Sequence, residues 1–245
     1  MENWDNVKIQ PDKQTLIRYA AERILRIASA TLEVNDTFSI ALSGGSTPYP
    51  VYEHIATKFA DILDWQRVHI WWGDERSVPI DHAENNYHNT KKVLFDPLNI
   101  PETNIHRIHG EDDPHEAAKA YEQEIREFFA EDEQLFDLNL LGMGEDGHTA
   151  SLFPKTDALN EDEKLFVAHH VTAKGDMWRI TQTFPTIYKS SNIMFLISGT
   201  GKADAFYEVM QGADNPTVYP AQTVARSQHP HIVWVVDEAA AAKLK

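Results

Sequence analysis

Residues 142–154 read Gly142-Met143-Gly144-Glu145-Asp146-Gly147-His148-Thr149-Ala150-Ser151-Leu152-Phe153-Pro154. Glycines let a backbone approach a ligand closely, and histidine is the side chain suited to proton transfer near neutrality. The stretch follows FDLNLL (136–141), an apolar run expected to be a buried strand. Open α/β sheets bind ligands at the carboxyl ends of their strands, so Asp146 and His148 are expected in an active-site loop. The same letters satisfy G-x-G-x-x-G, the dinucleotide fingerprint. That loop should pass from its third glycine directly into a helix, and Phe153-Pro154 argues against an uninterrupted one.

Three further clusters could serve a reaction. Ser43, Gly44, Gly45, Ser46 and Thr47 lie between a strand and a helix that opens near Pro48. Free amides at a helix start favour an anion, which makes this a phosphate cradle; it lacks the lysine spacing of a Walker loop. Gly73-Asp74-Glu75-Arg76 follows VHIWW as a charged strand end. Two basic residues complete the set: Arg179 in WRITQT, and Lys202 in GTGK, where a lysine beside glycines at a helix start suggests a ligand anion. Asp74, Asp146 and His148 could in principle share a metal, but no familiar ligand spacing supports it, so neither metal nor cofactor is expected. With no G-x-S-x-G, a nucleophile-elbow hydrolase is disfavoured.

These loops need a frame. Helical spacing predicts helices over 13–34, 51–59, 202–210 and 238–244, and another opening at Asp113-Pro114 with its acid at Glu116. Strands are expected at 38–42, 68–72, 136–141, 165–171, 193–197 and 232–236. Such alternation implies an α/β fold: a mostly parallel sheet with helices on both faces, a Rossmann-like three-layer sandwich. Without repeats or linkers, residues 1–245 are expected to form a single domain.

Composition narrows the class. The chain has 245 residues, 42% of them hydrophobic, and a formal net charge of −16. That charge argues against nucleic acid or an anionic membrane as partner. It also requires any phosphate site to concentrate some of the 22 Lys and Arg residues locally. Cysteine is absent, which removes disulfides and thiolate chemistry. No membrane-length apolar run and no signal-peptide pattern are present, so a cytoplasmic location is expected.

Taken together, SGGSTP, WGDERSVP, GMGEDGHTASLFP, WRITQT, SGTGK and Tyr219-Pro220-Ala221 resemble the 6-phosphogluconolactonase family in order and spacing, over residues 16–241. The wider superfamily includes glucosamine-6-phosphate deaminases, which carry an acid before the motif's final proline. Here that position is Phe153, and Arg76 stands where deaminases usually have an aromatic residue. Both differences favour the lactonases. One departure is Asn85-Asn86-Tyr87, where lactonases usually read Ser-Asn-Tyr.

The resemblance implies hydrolysis of 6-phospho-D-glucono-1,5-lactone, the second step of the oxidative pentose phosphate pathway. In that reading His148 activates water, and Asp146 or Asp74 orients it. Arg76 or glycine-loop amides meet the oxyanion. Residues 43–47 hold the phosphate together with Arg179 and Lys202. The expected partner is a small sugar-phosphate lactone, with the chain a monomer or weak homo-oligomer. A sugar-phosphate sensor would need the cradle and Lys202 but not an acid-poised His148.

Overall fold

The computed structural model describes residues 5–130, 134–173 and 175–244. The start of the chain, where no signal-peptide pattern was read, includes residues 1–4, which lie outside the described residues. Six strands form one wholly parallel sheet: β1 (Val7–Gln10), β2 (Phe38–Leu42), β3 (Val68–Trp72), β5 (Leu138–Leu141), β8 (Ile193–Ile197) and β9 (Ile232–Asp237). Their spatial order is β1-β9-β8-β5-β2-β3. From β2 the chain winds outward to β3 on one side; from β5 it winds outward through β8 and β9 on the other. The switch point between β2 and β5 is where such a sheet opens a crevice for a ligand.

Alternation along the central strands divides the interior into two cores. Met194 and Leu196 of β8 join Ile40 of β2 and the buried stripes of α1 (Lys13–Val34) and α2 (Pro48–Lys58). Ile193, Phe195 and Ile197 face the opposite way. They pack with Trp234 and with α6 (Ala203–Gln211), α7 (Ala221–Ala225) and α8 (Glu238–Ala241). Local signals start the helices where expected. Asp12 caps α1 by accepting from Thr15 N at 2.7 Å, and Asp113 caps α4 (Pro114–Phe128), with proline in its first turn.

The structure amends the sequence reading in six places. α2 starts at Pro48 rather than at 51, Lys202 sits in a 3₁₀ turn before α6, and α8 ends at Ala241. The strand expected at 136–141 begins at Leu138. Asp74–Arg76 is not a loop but a short strand, β4. It pairs antiparallel with β7 (Met177–Gln182), which pairs with β6 (Phe166–Val171), so the expected strand at 165–171 belongs to a second, antiparallel sheet.

Candidate active site

A cavity of about 300 Å³ opens at the switch point. Its wall brings together residues 43–47 after β2, Asp74 and Arg76 of β4, Gly142, Gly144, Glu145 and His148 after β5, and Ser198 and Lys202 after β8. Of the candidate site residues singled out from sequence, Asp146 and Arg179 are missing from this wall; Asp146 lies behind it in contact with His148. Arg179 is 5% exposed and lies directly opposite Arg76 in the β4–β7 pairing. Burial, then the Arg76 charge, lowers its pKa. A wider groove beside α4 and β6 has no glycine loop in its lining.

The loop after β5 folds on itself. Gly144 N donates to His148 O at 2.8 Å, and Thr149 Oγ1 donates to Gly142 O at 2.9 Å. Ala221 N donates to Gly147 O at 2.9 Å, which holds Tyr219-Pro220-Ala221 against the motif. The result is a contact of 2.5 Å between His148 Nδ1 and Asp146 Oδ1. Gly144 makes room for it, since a Cβ there would lie 2.1 Å from His148 Nδ1 and 2.4 Å from Asp146 Oδ1.

Of the two acids considered for orienting His148, Asp146 is the one in contact with its ring. Burial raises its carboxyl pKa, but the hydrogen bond and charge of His148 outweigh burial and hold it down to about 2. An ionised carboxylate only accepts, so the shared hydrogen belongs to Nδ1. Nε2 of His148 then keeps its lone pair and makes no hydrogen bond to a described residue. Asp74 is engaged elsewhere: Ser151 Oγ donates to its Oδ2 at 2.6 Å. Ser151 is in turn fixed by Thr181 Oγ1, which accepts from its amide, and by His169 Nε2, 2.7 Å from its carbonyl. Phe153 lies against the His148 ring, centroids 4.2 Å apart, where an acid would instead add a second charge.

Elsewhere on the cavity wall, the amides of Gly44, Gly45, Ser46 and Thr47 make no hydrogen bond to another described residue. They precede the amino terminus of α2, an arrangement that suits an anion. Lys13 reaches the same loop, donating to Ser46 O at 3.0 Å. The turn carrying Lys202 is tied to the sheet by Asp237, which accepts from Ser198 Oγ at 2.5 Å and from Gly199 N at 3.0 Å.

Sequence reasoning passed over Ser151, Asp237 and Asn86. Asn86 could have been found, because it stands in the Asn-Asn-Tyr string that drew attention to Asn85. That departure has a structural answer. Asn85 caps the short helix α3 (Asn86–Thr90) by accepting from His88 N at 2.8 Å, and Ser and Asn are both good caps.

Comparison with known proteins agrees with this geometry. Residues 11–234 match the family described as glucosamine-6-phosphate isomerases/6-phosphogluconolactonase. The 6-phosphogluconolactonase of Nostoc sp. is 37% identical over 242 residues, covering 97% of this chain and 98% of that one. That of Synechocystis sp. is 35% identical over 243 residues, covering 98% of each. The crystal structure of 6-phosphogluconolactonase from Thermotoga maritima superposes with a TM-score of 0.81 at 33% identity, over 94% of this chain and 98% of that one. With a family match over residues 11–234 and relatives at 35–37% identity over nearly the whole chain, the chain is an enzyme belonging to the glucosamine-6-phosphate isomerase/6-phosphogluconolactonase family.

Proposed function

We propose that the chain hydrolyses 6-phospho-D-glucono-1,5-lactone to 6-phosphogluconate, the second step of the oxidative pentose phosphate pathway. The observation that carries this reading is His148, paired through Nδ1 with Asp146, on the wall of a cavity that is also lined by the 43–47 amide cradle. A δ-lactone is an activated ester, so one positioned base suffices, a role worth ~10²–10⁴-fold. Water attacks C1 as His148 Nε2 takes its proton, and Asp146 holds the tautomer and stabilises the imidazolium. The carbonyl oxygen becomes an oxyanion, met by Arg76 or loop amides, each such donor contributing roughly 3 kcal/mol. Collapse breaks the C1–ring oxygen bond, and the imidazolium returns the proton to that oxygen.

The 6-phosphate is assigned to residues 43–47 and Lys202, which share the cavity wall. Arg179 acts from behind Arg76, adding positive potential instead of a direct contact. The test is acid release from the phosphorylated lactone, measured against its spontaneous hydrolysis in buffer. A protein that does not exceed the buffer rate would sink the proposal, and one that binds 6-phosphogluconate without accelerating hydrolysis would be a sensor.

A further inference from the structure

Asn86 lines the cavity yet has no part in the proposed chemistry, and it is 1% exposed. Its Oδ1 accepts from Arg76 Nη1 at 3.1 Å and from the Tyr49 hydroxyl at 3.2 Å. Its Nδ2 donates to the backbone carbonyl of Asp74 at 2.9 Å. A flipped amide would set donor against guanidinium and oxygen against carbonyl, so the orientation is fixed. The main chain is fixed as well: Glu75, buried, accepts from Asn86 N at 2.8 Å and Tyr87 N at 3.0 Å.

Arg76 depends on this arrangement. Its side-chain hydrogen bonds both leave from Nη1, to Asn86 and to Glu84 O, while its buried Nε has no partner among the described residues. Gly44, in the cradle, is shaped by the same side chain. A Cβ there would lie 1.9 Å from Asn86 Oδ1, closer than any real contact allows. One carboxamide therefore joins the strand bearing Asp74 and Arg76 to α2 through Tyr49, and presses on the phosphate cradle.

We infer that Asn86 is a positioning residue that aims the Arg76 guanidinium into the cavity, and that Gly44 is small because Asn86 occupies the space a side chain would need. The inference rests on the proposed role of Arg76 at the oxyanion. Its test is a set of kcat and KM measurements on the phosphorylated lactone for Arg76→Ala, Asn86→Ala and the double variant. Arg76→Ala should lower kcat by ~10²-fold. Asn86→Ala should lower kcat by roughly 10-fold with KM little changed, and the double variant should be no slower than Arg76→Ala alone. Losses that multiply would overturn the inference while leaving Arg76 its role. Near-normal kcat in Arg76→Ala would remove that role and the inference with it.

Gly44→Ala provides a second route, should Asn86→Ala not fold. By displacing Asn86 it should slow phosphorylated and unphosphorylated gluconolactone by similar factors. A loss confined to the phosphorylated lactone would mean that Gly44 serves the phosphate alone, against the inference.

Discussion

Two histidine–carboxylate pairs in this molecule have nearly the same geometry and different surroundings. His148 Nδ1 lies 2.5 Å from Asp146, and His106 Nδ1 lies 2.6 Å from Glu124 of α4. The difference is at the other ring nitrogen. His106 Nε2 meets His69 Nδ1 at 3.0 Å, and its ring stacks flat on Trp71, centroids 3.8 Å apart and 3° from parallel. Burial, reinforced by His106, drives the His69 pKa down to about 4, so this second pair has a neutral imidazole as its neighbour. His148, on a cavity wall, keeps Nε2 without a hydrogen-bond partner among the described residues. An acid beside a histidine is thus not enough to make a base; a nitrogen must be left over, facing space for a substrate.

The largest expected effect follows directly. His148→Ala should lower kcat by at least ~10²-fold while 6-phosphogluconate still binds, whereas His106→Ala should leave kcat within about twofold. Calorimetric binding alongside steady-state rates checks both, and comparable kcat losses in the two variants would erase the distinction. Because the proposed base must be neutral, the wild-type rate should also fall as acid protonates it.

The second effect concerns what faces the first pair. Lys202→Ala should reduce kcat/KM for the phosphorylated lactone by ~2–5 kcal/mol, and far less for unphosphorylated gluconolactone. Arg179→Ala should discriminate less sharply, because this side chain is buried behind Arg76 and its removal also disturbs packing. Equal losses on both lactones in Lys202→Ala would show that the cradle lies elsewhere.

A third measurement asks what the second pair is for. Removing His106 strips a stacked ring from Trp71 and leaves His69 and Glu124 without their partner. Denaturant unfolding should show a loss of ~1–3 kcal/mol; unchanged stability would deny the pair a structural role.

The smallest effect is a pH dependence at Glu75, beneath Arg76. Burial is the largest influence and raises its carboxyl to about 7, against three backbone amides that lower it. A raised carboxyl means the folded state binds the proton more tightly than the unfolded one. Its unfavourable contribution is absent below the ordinary carboxylate range, grows as pH rises, and is complete above about 7. The melting temperature of the wild type relative to Glu75→Gln should therefore fall between about pH 5 and pH 8. A difference that stays flat would contradict it.

Much of the frame was legible in the chain. The bounds of α1, β2, β3 and β8 follow from apolar spacing, and the glycine loops announce themselves at strand ends. These are local signals, set by a period of 3.6 or 2 and by residues that cap or break an element. Family membership was equally readable, because it rests on the order of short motifs.

Tertiary structure decided the rest, for one physical reason: the deciding contacts join residues far apart in sequence, where no period or cap leaves a trace. That Asp74–Arg76 is a strand depends on β7, with Asp74 opposite Thr181. That Asp146 and not Asp74 meets His148 depends on Ser151 holding Asp74. That Arg179 stands behind the wall and Asn86 on it depends on how β4 lies against α3 and β7. Sequence supplied the candidate side chains and the elements that carry them; only packing fixed which of them touch, and which nitrogen faces the cavity without a partner among the described residues.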